Sequence, residues 1–118
     1  MIDIEEIRLY CLAKAGTTEC FPFDDVNLVF KVMGKMFVLM PLDKPEWLFM
    51  KCDPGRAIEL RELYDGIRPA WHFNKKYWNQ VSLSGDVEES LVKQLIDHSY
   101  DEVVKKLPRK VRDSLNIL

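Results

Sequence analysis

The chain has 118 residues, of which 47% are hydrophobic, 31% charged and 11% aromatic. This length and balance predict one globular domain over residues 1–118, and they exclude a disordered, fibrous or disulfide-dense chain. Seventeen basic and nineteen acidic residues give a formal net charge of −2, so the overall charge does not indicate a nucleic-acid or membrane partner.

The first half of the chain predicts a helix and then a meander of strands. Asp3 begins a capping-box pattern, and apolar residues at helical spacing continue to Gly16, which predicts a helix over residues 4–15. Alternating apolar residues then predict strands joined by short turns, the first turn lying around Gly34. These predicted strands cover residues 26–32, 36–40 and 47–51. Together they predict an antiparallel meander.

A second helix and two further strands follow. Asp53 and Pro54 have the order of an N-cap and a first-turn proline, which predicts a helix over residues 54–65. Aromatic and β-branched residues then predict two strands, at residues 67–70 and 77–83.

Two more capping-box patterns indicate helices at the end of the chain. Asp86 begins one of them and predicts the start of a third helix. Ser99 begins the other, which predicts a break near His98 and a separate short helix up to Pro108. Residues 109–118 are expected to be helical or frayed. The order of elements predicts one α+β domain in which helices cover one face of an antiparallel sheet.

Basic residues concentrate in the middle of the chain. Residues 1–30 contain two basic and six acidic residues, and residues 81–118 contain six and seven. Residues 31–80 instead contain nine basic and six acidic residues. The predicted sheet region is therefore the basic part of the chain. Lys105 and Lys106, near the end of the last predicted helix, are explained by their favourable interaction with the helix dipole.

The sequence lacks the motifs of familiar enzyme classes. It has no nucleophile elbow, phosphate-binding loop or dinucleotide fingerprint, so we expect no catalysis and no cofactor. His72 and His98 have no companion at metal-ligand spacing, which favours a structural role over metal binding. Three isolated cysteines are predicted to be small core residues: Cys11, Cys20 and Cys52.

The distribution of apolar residues predicts a cytoplasmic protein. No apolar run approaches the about 20 residues that span a bilayer. The N-terminus is acidic, where a secretory signal would be basic. We therefore expect no membrane partner.

The connection between the last two predicted strands is rich in aromatic and basic groups. Lysines neutralise phosphates, an asparagine bonds to a phosphate or a base edge, and an aromatic ring stacks. The groups of this kind are Trp71, His72, Asn74, Lys75, Lys76 and Trp78. Lys35, at the tip of the predicted hairpin, would supply a second projecting contact. The pattern indicates a nucleic-acid contact or, alternatively, an ordinary solvated loop.

Five short blocks of sequence carry a family resemblance. They are Phe21-Pro22-Phe23, Phe30-Lys31-Val32-x-Gly34-Lys35-Met36-Phe37, Lys51-Cys52-x-Pro54, His72-x-Asn74-Lys75-Lys76-x-Trp78 and Ser99-Tyr100-x-x-Val103. In their order and spacing, from about residue 3 to residue 115, the chain resembles the small bacterial MmcQ/YjbR proteins.

The resemblance implies a single CyaY-like domain that binds DNA with a double-wing arrangement. The matching positions in this chain are Lys35, Lys51, His72, Asn74, Lys75 and Trp78. Tyr77 departs from the family pattern, in which members often have His. We expect a monomeric DNA-binding protein that uses Lys35, Asn74, Lys75 and Lys76 for phosphate contact.

Two other functions stay open from the sequence. One is a small module that binds an unknown protein or ligand through Trp71, His72 and Trp78. The other is a frataxin-like metal binder, because carboxylates attract hard cations. The acidic residues that would serve it are Glu5, Glu6, Glu19, Asp24 and Asp25.

Overall fold

Within residues 1–115, which the computed structural model describes, the chain forms four helices and six strands. In chain order they are α1 (Ile4–Leu12), β1 (Thr17–Cys20), β2 (Asn27–Val32), β3 (Lys35–Pro41), β4 (Trp47–Lys51), α2 (Pro54–Leu63), β5 (Ile67–Pro69), β6 (Trp78–Ser82), α3 (Glu89–Val104) and α4 (Arg109–Ser114). The strands form one sheet in the order β1-β2-β3-β4-β6-β5, and each neighbouring pair is antiparallel. The predicted α+β class and the meander β2-β3-β4 are confirmed.

The edge strand β1 is the one element that the sequence-based prediction missed. It pairs with β2 along its whole length, from Thr17 opposite Val32 to Cys20 opposite Val29. Its residues are mostly polar and show no alternation of apolar side chains, since an edge strand of four residues contributes little to the core. Pairing with β2, rather than a local pattern, defines this strand.

A two-residue turn joins β2 to β3. Met33 and Gly34 have φ angles of 49° and 84°. Positive φ at both central residues is typical of a type I′ turn, whose twist matches that of the flanking strands. Lys35, predicted to lie in the turn, pairs with Val32 and is the first residue of β3. Its exposed side chain lies at the end of this hairpin.

The first two helices begin where their caps predict. The Asp3 carboxylate accepts a hydrogen bond from the Glu5 amide at 2.9 Å, and the Asp53 carboxylate accepts one from the Arg56 amide at 3.1 Å. Each helix ends two or three residues before its predicted end. After α1, the Lys14 amide already donates to the Cys11 carbonyl at 3.2 Å, in a turn that leads to β1.

The prediction that Asp86 caps the third helix is wrong. Helix α3 begins at Glu89, and its N-cap residue is Glu88, which makes no capping bond with its side chain. The Asp86 carboxylate instead accepts hydrogen bonds from the amides of Asp65 at 3.0 Å and Gly66 at 2.8 Å. It therefore holds the turn that precedes β5, about 20 residues earlier in the chain.

The predicted helix break near His98 is also wrong, because α3 continues without interruption to Val104. Its buried residues Val92, Leu95, Ser99 and Val103 follow one another at spacings of three or four and form one stripe. The Ser99 hydroxyl, which was predicted to cap a new helix, donates to the Phe37 carbonyl of β3 at 2.6 Å. A tertiary contact therefore replaces the predicted local one.

The end of the chain is helical as far as it is described. Helix α4 lies within the segment 109–118, which was expected to be helical or frayed, and residues 116–118 lie outside the described part. None of the helices within residues 1–115 has the length and apolar character needed to cross a membrane.

The helices pack on one face of the sheet and form the core with it. Alternate residues of a strand point to opposite faces. Leu48, Met50 and Val81 belong to the same buried cluster as residues of α1, α2 and α3. The opposite face, here the outer face, carries residues such as Phe49 and Gln80, which are opposite one another in β4 and β6.

Two of the three cysteines are core residues, as predicted. Cys11 and Cys52 are buried, and Cys20 is half-buried. Burial disfavours the thiolate and raises the pKa of Cys11 to about 12 and that of Cys52 to about 11.

Candidate nucleic-acid interface

The candidate site forms where strands β3 and β4 separate. Their paired residues are Val38 with Met50 and Leu39 with Phe49. Beyond this short ladder, the Ser99 hydroxyl of α3 lies between the strands. It donates to the Phe37 carbonyl at 2.6 Å and accepts from the Lys51 amide at 2.9 Å. Helix α3 thus supplies polar contacts for backbone groups that the ladder leaves unpaired.

Three lysines line a pocket of about 210 Å³ at this separation, which we call the lysine pocket. Lys35 comes from the start of β3, Lys51 from the end of β4 and Lys106 from just beyond α3. The remaining lining is mostly apolar: Met36, Val103, Leu107 and Pro108. The fold therefore brings together basic residues that are as far as 71 positions apart in the sequence.

The charges of the lysine pocket are not neutralised by the residues that form it. Burial lowers the pKa of Lys51, and the positive charge of Lys106 lowers it further. The charge of Glu102 acts in the opposite direction, but this carboxylate forms an ion pair with Lys105. Within residues 1–115, none of the three pocket lysines takes part in an ion pair, so the pocket is suited to an anion from outside.

The loop over residues 71–77 meets the lysine pocket at Tyr77. The Lys106 ammonium lies 5.1 Å from the centre of the Tyr77 ring, and the Lys76 ammonium lies 5.6 Å from it. Both distances are within the range of a cation–π contact. Tyr77 therefore connects the predicted loop to Lys106, which follows α3. From the sequence, Lys106 was expected only to interact favourably with the helix dipole.

Arg61 of α2 holds the other side of this loop. Its Nε donates to the Asn79 side chain at 2.6 Å, and its guanidinium also donates to the Lys75 and Trp78 carbonyls. The Asn74 side-chain oxygen accepts from the Lys76 amide at 3.2 Å, so this residue shapes the turn. None of these three contacts of Arg61 has a local sequence signal, since its partners are at least 14 residues away.

The exposed end of the loop carries a second basic contact. The Lys75 ammonium lies 4.6 Å from the centre of the Trp71 ring, and Trp71 is 65% exposed. This pair projects from the loop, whereas Trp78 is packed and stacks on Phe73 with ring centres 5.0 Å apart. Trp71 and Lys75 are therefore accessible to a partner, and Trp78 serves mainly to fix the loop.

The predicted site residues divide into two groups in space. Lys35 and Lys51 line the lysine pocket, and Lys76 adjoins it through Tyr77. His72 lies elsewhere, on the outer face beside Phe49. Lys106, Tyr77 and Arg61 also belong to the site, although they were not predicted as site residues.

Three of the five acidic residues considered for metal binding are held by other contacts. Glu5 and Glu19 both accept from Arg8, at 2.8 Å and 2.6 Å. The Arg8 hydrogen bond lowers the pKa of Glu19. Asp24 accepts from the amides of Val26 and Asn27. Within residues 1–115, no three His, Cys, Asp or Glu side chains are grouped as a metal site requires.

Comparison with known sequences identifies one family. The sequence model of the YjbR family matches residues 12–102. The uncharacterized protein YjbR of Escherichia coli strain K12 is 31% identical over 115 residues, which cover 97% of this chain and 98% of that protein. The uncharacterized protein YbdF of Escherichia coli O157:H7 is 34% identical over 92 residues, which cover 77% of this chain and 75% of that protein.

Two solved structures share the fold. The Deinococcus radiodurans protein DR2400, with a DUF419 domain, has a TM-score of 0.90 and 37% identity, over 98% of this chain and 89% of its own. A Pseudomonas syringae protein has a TM-score of 0.71 and 24% identity, over 86% of this chain and 98% of its own. The second likeness is one of fold alone.

Proposed function

This chain belongs to the YjbR family, and we propose that it binds DNA through the DNA phosphates and performs no catalysis. The observation that carries the proposal is the lysine pocket, which three lysines line and in which the charge of Lys106 acts on Lys51. Phosphate groups are the commonest target of lysine in protein–DNA contacts. The sign and position of these charges support the proposal, because they form a basic site in a chain that is acidic as a whole.

The charge in the pocket favours a phosphate ligand. Ammonium groups that lie close together repel one another, and this repulsion contributes to the lowered pKa of Lys51. A DNA phosphate in the pocket would offset this repulsion, and the lysines would replace counterions that are condensed on the DNA. The pocket therefore gains more from binding an anion than isolated surface lysines would.

Two projecting segments flank the pocket and would extend the contact along DNA. The β2–β3 hairpin carries Lys35, and the loop over residues 71–77 carries Lys76 and the Lys75–Trp71 pair. We propose that these two segments act as the wings of the interface. Asn74 also shapes one of them through its bond to the Lys76 amide.

Three titratable groups outside the pocket are engaged in the fold or held in a buried position. His98 accepts a hydrogen bond from the Asp53 amide at 3.0 Å through its Nε2 atom, so it is engaged in joining α3 to α2. The Cys11 and Cys52 thiols are held neutral by burial. Neutralising phosphate requires only positive charge in a fixed position, which the three lysines supply.

The salt dependence of binding to a labelled random duplex tests the proposal. Fluorescence anisotropy at about 50 mM and about 200 mM salt should give saturable binding that weakens steeply as salt rises. Each phosphate contact contributes about 0.9 to the slope of log K against log salt. The double variant Lys35→Gln/Lys106→Gln should therefore lower the slope by roughly 2 and the affinity at the lower salt by about tenfold.

Lys93→Gln is the control for loss of a positive charge elsewhere, because it removes one such charge from α3 about three turns before the end of that helix. It should leave both the affinity and the slope unchanged. Absence of saturable binding at the lower salt, or an unchanged slope in the double variant, would refute the proposal.

A further inference from the structure

Two adjoining pockets lie on the outer face of the sheet, away from the lysine pocket. Each has a volume of about 210 Å³, and Phe49 and His72 line both of them. The first is also lined by Asn27, Leu39 and Phe73. The second is also lined by Pro41, Lys44, Trp47 and Gln80. This face is therefore a concave surface with an aromatic floor.

The aromatic rings of this surface are held in fixed positions. Phe73 packs against Phe49 with ring centres 5.4 Å apart, and it stacks on Trp78 at 5.0 Å. The Arg68 guanidinium lies over the Trp47 ring, 5.5 Å from its centre. Rings that are already immobilised lose little entropy when a flat ligand stacks on them.

Polar groups surround the aromatic floor. The Asn27 side chain is held by a hydrogen bond to Asp24 at 2.7 Å, and Gln80 lies opposite Phe49 across the β4–β6 pair. Amide groups of this kind match the donors and acceptors at the edge of a nucleobase. His72 and Lys44 add a further hydrogen-bonding group and a positive charge.

Charge on this face favours a polyanion. Within residues 1–115, the side chains that line the two pockets include Lys44 but no carboxylate. Asp65 and Asp86 line a separate pocket on the far side of Trp47, together with Arg68. A polyanion would therefore be attracted more to the two outer-face pockets than to the third.

We propose that the outer face binds unpaired bases of single-stranded DNA, with one base in each of the two pockets beside Phe49. The proposal rests on the DNA-binding function proposed above and specifies the form of DNA that is preferred. A flat aromatic surface stacks any base but only when that base is unpaired and unstacked.

Strand β4 connects this surface to the lysine pocket. Trp47, Phe49 and Lys51 are alternate residues of β4, so the Cα atoms of each successive pair are about 7 Å apart. The first two line outer-face pockets and the third lines the lysine pocket. One short strand of DNA could therefore place a phosphate on Lys51 while its neighbouring bases reach Phe49 and Trp47.

Affinity for single-stranded and duplex DNA of the same length tests the inference. We expect the natural protein to bind a labelled ten-nucleotide single strand about tenfold more tightly than the duplex in anisotropy titrations at low salt. Phe49→Leu keeps an apolar group against Phe73 but removes the aromatic ring. It should lower the affinity for the single strand by about tenfold, because stacking is lost, and leave the duplex affinity within twofold.

A second variant covers the possibility that Phe49→Leu disturbs folding. Gln80→Ala removes an amide from the outer face and should lower single-strand affinity by about threefold, whereas Gln94→Ala, on the exposed part of α3, should change nothing. If duplex and single strand bind equally, or if both outer-face variants keep full single-strand affinity, the inference fails and the proposed function stands. If neither form of DNA binds, both fail.

Discussion

Positively charged side chains line two pockets of this molecule. In the first, an arginine forms ion pairs with carboxylates, and in the second, lysines lie beside apolar groups. Arg8 lies in a groove of about 330 Å³ near β1, and its guanidinium donates to Glu19 at 2.6 Å and to Glu5 at 2.8 Å. The lysine pocket lies at the separation of β3 and β4. Its lysines, including Lys51 and Lys106, line the pocket beside apolar groups.

The pKa values of Arg8 and Lys51 are shifted in opposite directions, which reflects this difference. The hydrogen bonds that Arg8 donates to Glu19 and Glu5 raise the pKa of Arg8, whereas burial and the charge of Lys106 lower the pKa of Lys51. A cation that already has carboxylate partners gains little from a further anion, and a cation that is repelled by its neighbours gains much. The pairing of charges, rather than their number, therefore distinguishes an anion site from a structural ion pair.

The largest effect is expected on the free energy of unfolding, from replacing Ser99, whose hydroxyl bonds to both strands beside the lysine pocket. Ser99→Ala would leave the Phe37 carbonyl and the Lys51 amide without their hydroxyl partner in a buried position. We expect the free energy of unfolding to fall by about 2 kcal/mol, measured by urea denaturation with an unchanged m-value.

Ser90→Ala is the control for this change, because Ser90 is exposed in the first turn of the same helix. It should change the free energy of unfolding by less than about 0.5 kcal/mol. Equal stability of Ser99→Ala and the natural protein would mean that the hydroxyl does not support the separation of β3 and β4.

Ser99 also illustrates what the sequence could not reveal. The patterns that begin at Asp86 and Ser99 both match a capping box, yet each side chain bonds to a strand or turn elsewhere in the fold. Local spacing predicts a local partner, and the competing tertiary partner has no sequence signature. By contrast, Asp3 and Asp53 cap α1 and α2 as predicted, because their partners are two and three residues away.

The candidate site was predictable only in part for the same reason. Residues 72–76 are close together in the sequence, and their loop can be recognised by composition. The lysine pocket instead needs Lys106 beside Lys51, which depends on how the end of α3 packs against the sheet. The sequence predicted the strands that carry Lys35 and Lys51, but it did not predict that β3 and β4 would separate there.

A carboxylate placed in the lysine pocket would make it resemble the Arg8 groove. Met36 is half-buried and lines the pocket, so Met36→Glu would supply an internal partner for the lysines. We expect the affinity for DNA to fall about tenfold relative to Met36→Gln, which has the same size without the charge. Anisotropy titration at constant salt measures both variants. Equal affinities would mean that the pocket lysines do not contact phosphate.

The reverse experiment removes the cation of the Arg8 groove. Arg8→Gln breaks the contacts with Glu5 and Glu19, which are partly exposed, so we expect a smaller loss of stability than for Ser99→Ala. Affinity for DNA should stay within twofold of the natural protein, although one positive charge is lost. A fall similar to that of Lys35→Gln/Lys106→Gln would show that total charge, rather than the lysine pocket, governs binding.

The smallest expected effect is a pH dependence from His98, which joins α3 to the N-terminus of α2. Its Nε2 atom accepts from the Asp53 amide at 3.0 Å, which requires a neutral ring. Burial lowers the pKa of His98 below its ordinary value, and the positive charge of Arg56 lowers it further. Glu102 and Asp53 act in the opposite direction and are weaker.

Because the His98 pKa is lower in the folded protein than in the unfolded chain, the unfolded chain binds more protons as the pH falls below about 6.5. The free energy of unfolding should therefore fall as the pH is lowered from about 7 to about 5.5, by a few tenths of a kcal/mol after allowance for the partial exposure of the ring. His98→Gln keeps a side-chain acceptor that does not titrate, so urea denaturation of this variant should show a flatter profile over the same interval. Glu19 and Asp24 have lowered pKa values and titrate at more acidic pH, so they contribute little to the change in stability over this interval. A profile that is equally steep in the variant and the natural protein would contradict the assignment to His98.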